Sequence, residues 1–471
     1  MLTRLEVNGF KNLFGIVVDL GPYTCIAGPN AVGKSNLFDA IEFLSHLASS
    51  SFVEAAQQIR LSGEKSIDPT LLFFRHEDGT YEPMRIAAEM IVDPDAHDDF
   101  GQHVAASSTY LRYELELRID VVLGPSGAPV ERIRLTHESL IPLTATHAKA
   151  RLAWTRAHDV GLIGALVRGR RRNPFISMGE DSSDSSVVKI HTEGTQGRAR
   201  MVSVVSTQRT VVSTTNTAER PTILAARREM ENWKKLALEP SAMRTPDDVS
   251  EQGGVGSDGS HLAVALSRLL ETDDDAAAEV RATATSLTDV SEVRADVDHE
   301  RRIVTLSARL GKGPLLPARV LSEGTLRFLA LAIIQLDPEF GRVICMEEPE
   351  NGIHPAKIPD MVELLHDLAF DVDLPPGEDN VLRQVIVNTH SPHFVAEHED
   401  SEILVAVHAS RRVAETTVDS FVLAPVAETW RARVTDDAHG RTGGYTVPRN
   451  TIDSYLSIRP DAPQVHSGGA K

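Results

Sequence analysis

Cysteine is nearly absent, with two in 471 residues. That leaves no disulfide framework and points to a reducing cytoplasm. Aromatic residues make up only 5%, too few for an extended base-stacking platform. Positive charge is also short. Lysine and arginine total 48 against 67 acids, a net −19, so polyanion binding would need a local basic patch. No apolar run approaches the ~18 residues of a membrane span, and no membrane partner is expected. Heptads and internal repeats are missing, which excludes a coiled-coil arm or a solenoid. The opening stretch MLTRLEVNGFKNLFG alternates polar and apolar residues and has no signal-peptide core. What is present is a globular composition, 41% hydrophobic and 24% charged, in enough chain for about three domains.

The order of patterns is informative. Residues 3–8, 16–20 and 23–27 read as strands, and the third runs into a glycine-rich turn. Leu37, Ile41, Leu44 and Leu47 then recur at helical spacing. Residues 85–93, 110–123 and 132–143 alternate like antiparallel strands with one wet face. Residues 146–225 mix a short apolar piece, the basic run RGRRR and serine-acid segments, and read as an insertion with mobile loops. Residues 226–237, 261–270 and 326–336 read as helices. Residues 302–309 read as a strand, and 342–347 and 383–389 as short buried parallel strands. The expected organisation is a first lobe over 1–145 and a helical insertion over 146–300. A second lobe over 301–460 and a loose tail over 461–471 follow.

Residues 28–35 read GPNAVGKS, the pattern G-x-x-x-x-G-K-[ST]. Gly28 and Gly33 permit a tight loop whose backbone amides point inward at phosphate oxygens. Pro29, Asn30, Ala31 and Val32 form the loop, and Asn36 follows in the helix. Lys34 supplies a point charge and Ser35 a hydroxyl for Mg²⁺. A strand before and a helix after meet the context this motif requires. A metal-side acid should end a buried strand, and VICMEE at 343–348 provides it. Glu347 takes the Mg²⁺ position, where an aspartate is usual, and Glu348 is placed to orient an attacking water. LSEGT at 321–325 sits at a helix start, with Ser322 and Gly324 able to face an anion. VNTHSP at 387–392 places His390 just past another buried strand, within reach of a γ-phosphate.

Together these segments resemble the heads of ABC-type ATPases. GPNAVGKSN is similar to Walker A, LSEGT to the signature, CMEEPENGIHP to Walker B plus D-loop, and NTHSP to the switch histidine. The EEPENGIHP run departs from transporters, and LEVNGFKNL resembles the opening of RecF, SMC and OLD-family ATPases, including those of prokaryotic anti-phage systems. The resemblance implies an α/β P-loop NTPase head: a mixed sheet, an antiparallel β lobe and a globular insertion. It implies ATP and Mg²⁺ as ligands and a homodimer closing head to tail over two nucleotides. Ser322 and Gly324 would then meet the γ-phosphate of the partner's site, Asn351 would lie in the D-loop at the interface, and Lys11 would approach the nucleotide. The expected Q-loop glutamine is not evident, and Gln102 is the candidate. Lys34 and Ser322 are 288 residues apart, too close for an SMC arm. The 81 residues after His390 contain no Asp-x-Asp pair of the kind a Toprim nuclease carries, and Asp436-Asp437 is adjacent rather than spaced. The expectation is an ATPase serving as sensor or scaffold, with a nuclease or other effector on a separate chain. A RecF-like repair clamp and a non-hydrolysing scaffold remain alternatives, and a transporter subunit is disfavoured.

Weaker signals stay open. Arg168, Arg170, Arg171 and Arg172 are either a contact for DNA or RNA backbone or a solvated loop, with the loop favoured. Cys25 and Cys345 lie on apolar strands and read as core residues. His393 and His398 lack a supporting ligand cluster for a metal.

Overall fold

The computed structural model describes residues 1–30, 32–59, 68–123, 127–157, 161–180, 186–193, 199–204, 206–251, 253–272, 276–337, 340–377, 379–413, 416–439 and 445–456. Two large sheets organise them. One has six strands in the spatial order Trp233–Leu236, Val343–Glu347, Gln384–Thr389, Tyr23–Ala27, Ile403–Val413, Thr416–Pro425. The first five are mutually parallel, and Thr416–Pro425 runs antiparallel along the edge. Both faces are covered, which is why VICM and QVIV read as unbroken apolar runs. Cys345, Ile386 and Ile26 face one core. Cys25, Ile344, Val385 and Val387 face the other, with the helices Leu262–Thr272, Glu323–Leu336 and Ile358–Asp367.

The second sheet has eight antiparallel strands. Its order is Arg200–Ser203, Ser186–Ile190, Ile176–Glu180, Pro129–Pro142, Tyr110–Leu123, Met84–Ile91, Leu2–Asn8, Ile16–Asp19. The helix Lys34–Leu47 shares a single core with this sheet and with the inner face of the parallel one. Its buried residues Leu37, Phe38, Ile41, Leu44 and Leu47 form that contact. A smaller sheet joins Asp247–Asp248, Ile303–Leu310, Val290–Asp298 and Leu315–Pro317. Cys25 and Cys345 are free and buried in the parallel strands, as expected. No described helix is long and apolar enough to cross a membrane.

Two expectations need correction. Residues 146–225 are not simply an insertion of loops. Ile176–Glu180, Ser186–Ile190 and Arg200–Ser203 extend the antiparallel sheet, with Ile176 and Val188 fully buried. Pairing with a distant partner decides this, against a serine-rich local composition. The helix expected over 226–237 ends early. Pro221–Glu231 is helical, and Trp233–Leu236 is a strand that pairs in parallel with Val343–Met346. The tail over 461–471 lies outside the described residues, as does Ala31 of the glycine-rich turn.

Candidate functional site

The carboxyl ends of three adjacent parallel strands lie in register. Glu347 stands beside Asn388, which stands beside Ile26, and Thr389 stands beside Ala27. The loop 28–35, Glu347 with Glu348, and His390 therefore leave the sheet at one edge. Such an edge of an open α/β sheet is where ligands bind.

The loop is held by packing that tolerates only glycine at two points. The Gly28 amide donates to the Thr389 carbonyl at 3.2 Å, and a Cβ on Gly28 would lie 2.9 Å from Cβ of Ala406. Gly33 has φ +114°, and a Cβ there would meet Asn12 Nδ2 at 2.7 Å. Asn12 fastens the loop from outside: it accepts from Asn36 Nδ2 at 2.7 Å and donates to the Val32 carbonyl at 3.4 Å. The helix Lys34–Leu47 starts at Gly33 with no side-chain cap and no acid in its first turn. The Asn36 amide donates to the Gly33 carbonyl at 3.0 Å, and the positive end of the helix dipole faces the loop with no acid of its own first turn to meet it. Pro29 and Asn30 are exposed. Lys34 is buried, and its Nζ donates to the carbonyls of Gly28 and Pro29 at 2.6 and 2.8 Å. Burial lowers its pKa, and the carboxylates of Glu348, Glu347 and Glu350 act in opposition.

Glu347 accepts a hydrogen bond from Ser35 Oγ through one oxygen and meets Lys235 Nζ at 2.7 Å through the other. Burial alone would raise its pKa, but Lys235 and Ser35 hold it below the ordinary value. Lys235 also reaches Asp39 at 3.2 Å, and Lys11 reaches the other oxygen of Asp39 at 2.6 Å. Asp39 is fully buried on the helix, one turn beyond Ser35.

Glu348 sits at φ +47°, a left-handed conformation unusual for a residue with a side chain. Its amide donates to the Asn388 carbonyl at 2.9 Å, which fixes the kink just past the strand. One carboxylate oxygen lies 2.7 Å from His390 Nδ1, and the other accepts from Asn351 Nδ2 at 2.6 Å. Behind this pair, Glu350 accepts a hydrogen bond from the Thr389 hydroxyl, and burial raises its pKa.

Ser322 caps the helix Glu323–Leu336, its Oγ accepting from the Thr325 amide at 3.2 Å. Gly324 faces the turn after Asn351, 3.8 Å separating its would-be Cβ from the Gly352 carbonyl. The hydrogen bonds described for Ser322 stay within its own helix start, and none reaches the loop 28–35. Gln102 lies in a hairpin turn, its amide donating to Asp98 at 2.9 Å, and no hydrogen bond described for it reaches the strand ends. Arg171 is committed locally: it donates to the carbonyls of Asn173, Thr192 and Pro174 and lies 4.4 Å over the Phe175 ring. Arg168, Arg170 and Arg172 are exposed. His398 is a core histidine between Tyr23 Oη and the Phe394 carbonyl, at 2.9 and 2.7 Å.

Residues 23–82 and 174–396 match the family described as "AAA domain, putative AbiEii toxin, Type IV TA system". The chain belongs to this family. The parallel sheet, glycine loop and strand-end acids described above are consistent with an α/β AAA domain. Among curated proteins, the DNA replication and repair protein RecF of Paenarthrobacter aurescens (strain TC1) is 26% identical over 190 residues. That alignment covers 39% of this chain and 45% of RecF, so the chain spans less than half of that relative's length. Among solved structures, an SMC head bound to the C-terminal winged-helix domain of ScpA aligns at TM-score 0.46 and 13% identity. It covers 90% of this chain and 98% of that one. The SMC head domain from Thermotoga maritima aligns at TM-score 0.37 and 12% identity, covering 90% and 99%.

Sequence reasoning missed Lys235, Asp39 and Asn12. Asn12 stood in the quoted NGFKNL segment and was the only one with a local signal. Lys235 was hidden by the reading of its strand as helix.

Proposed function

We propose that this protein binds and hydrolyses Mg-ATP at the strand-end site, and that two copies close head to tail over the nucleotides. The observation that carries the proposal is the grouping of Glu348, His390 and Asn351 beside a glycine loop whose helix start is uncapped. The residues fit a magnesium-bound triphosphate. The helix start after Gly33, which has no side-chain cap, and the buried Lys34 suit the phosphates. Ser35 and Glu347, already joined through oxygen atoms, suit a hard cation that takes oxygen ligands. Bound Mg²⁺ would supply charge neutralisation at the phosphates.

The chain's own groups have separable tasks. The loop amides and Lys34 bind and orient the triphosphate. Glu348 accepts the proton of an attacking water, and its two hydrogen bonds aim the carboxylate without leaving it free to swing. His390, bonded to that carboxylate and half exposed, reports the state of the phosphate end to it. Ser322 and Gly324 stand at a helix start with no hydrogen bond described to their own loop, which suits completion of a partner's site. Lys11 bears on the site through Asp39, the buried carboxylate on the helix of the glycine loop.

In this reading the ATPase is a nucleotide-dependent sensor or scaffold in a prokaryotic defence or DNA-transaction complex, with its effector on a separate chain. The partial likeness to RecF favours a DNA-repair clamp as the second reading. One experiment tests the core proposal. Phosphate release and molar mass by light scattering are measured with ATP for the wild type and Glu348→Gln. The expected result is loss of release with accumulation of an ATP-bound dimer. A Glu348→Gln protein that hydrolyses normally, or stays monomeric with ATP bound, contradicts it.

A further inference from the structure

Among the described residues, Lys235 is the lysine that joins the helix of the glycine loop to the acid-bearing strand. It lies on the edge strand Trp233–Leu236, directly beside Cys345 in the pairing with Val343–Glu347. Its ammonium is 2.7 Å from Glu347 and 3.2 Å from Asp39, with 16% of its side chain exposed. Asp39 is wholly buried, and Glu347 is one-third exposed. Two carboxylates converging on one point in a partly dry site repel each other unless a cation lies between them. Here the chain supplies that cation itself. The same contact leaves the second Glu347 oxygen turned to Ser35.

We propose that Lys235 is a positioning residue that serves as a tethered cation. It holds Glu347 against Ser35 before any divalent ion arrives, and by doing so it sets how strongly the nucleotide-free site attracts Mg²⁺. This rests on the reading of Ser35 and Glu347 as the metal side of an ATP site. With Lys235 in place, Glu347 is already neutralised, so the free protein has little affinity for Mg²⁺ alone. Metal then enters with the triphosphate, whose oxygens supply the missing negative charge. Without Lys235, Glu347 and Asp39 would draw a divalent ion directly. Asp39 keeps Lys11 at 2.6 Å, so the substitution does not strip the buried carboxylate of all its partners.

The test uses the full chain without nucleotide. Thermal unfolding is followed across a Mg²⁺ titration for wild type, Lys235→Gln and Lys235→Arg. A second pair carries Asp39→Asn with and without Lys235→Gln, which removes the buried carboxylate and protects the fold. Lys235→Gln should bind Mg²⁺ on the order of tenfold more tightly than wild type, because a unit charge a few ångströms from the metal has been removed. Lys235→Arg should behave as wild type. In the Asp39→Asn background the Lys235→Gln step should give the same direction through Glu347 alone. Equal Mg²⁺ responses with and without Lys235, in both backgrounds, overturn the proposal. ATP affinity with Mg²⁺ present is measured on the same samples. If wild type binds no ATP the nucleotide reading fails, whereas the metal titration still decides the role of Lys235.

Discussion

Glu348 offers a test in which stability and function should part company. At φ +47° its backbone is in the left-handed region. A residue with a Cβ is disfavoured there by about 1–2 kcal/mol, whereas glycine is not. Glycine in turn loses about 0.5–1 kcal/mol of extra chain entropy on folding. Replacing Glu348 by Ala and by Gly removes the same contacts, those to His390 and Asn351. The difference between the two variants therefore isolates the backbone. Glu348→Gly should be the more stable by about 0.5–1 kcal/mol, reversing the usual advantage of alanine. Urea unfolding of both variants measures this. Glu348→Gln, which keeps the side-chain shape, should bind ATP but release phosphate about 100- to 10,000-fold more slowly, the usual range for a lost general base. If alanine proves as stable as glycine, the strained kink at the strand end is not a feature of the folded protein. The argument that the fold holds Glu348 in an enforced position would then fail.

Three further outcomes follow from the structure. Arg171→Ala should destabilise the protein by about 2–3 kcal/mol, since it loses three carbonyl hydrogen bonds and the contact with Phe175. Any nucleic-acid affinity should instead depend on the exposed Arg170 and Arg172, read as a shallower salt dependence when both become Ser; an unchanged slope assigns them to ordinary solvated surface. Burial holds His398 down at about 4, against 6.5 for an ordinary histidine. Between those values the unfolded chain takes up a proton that the folded chain refuses. Stability should fall as the pH drops from 6.5 towards 4, by about 3 kcal/mol in full. Chemical denaturation across that range should show this fall in the wild type and a flatter profile in His398→Gln.

The parts of the site legible in the sequence are those whose chemistry is local. GPNAVGKS needs its glycines because the loop itself is tight, and the structure shows what Gly28 and Gly33 would strike. VICMEE and QVIVNT read as buried strands because both faces of their sheet are covered. Lys235 was not legible. Its four-residue strand exists only through pairing with Val343–Met346, more than a hundred positions away, and WKKL by itself continues the preceding helical pattern. The strands between Ile176 and Ser203 were obscured for the same reason, since they exist through pairing with one another and with Pro129–Pro142. Arg171 illustrates the reverse error: a basic run invites a long-range partner, whereas its guanidinium is spent on neighbouring carbonyls and a ring.

Equilibrium ATP binding to the wild type and to Lys34→Ala, with and without Mg²⁺, tests the central claim most directly. Saturable binding by the wild type, strengthened by Mg²⁺ and lost in Lys34→Ala while the variant stays folded, is the expected result. Undiminished ATP affinity in Lys34→Ala would show that the nucleotide sits elsewhere and would contradict the account.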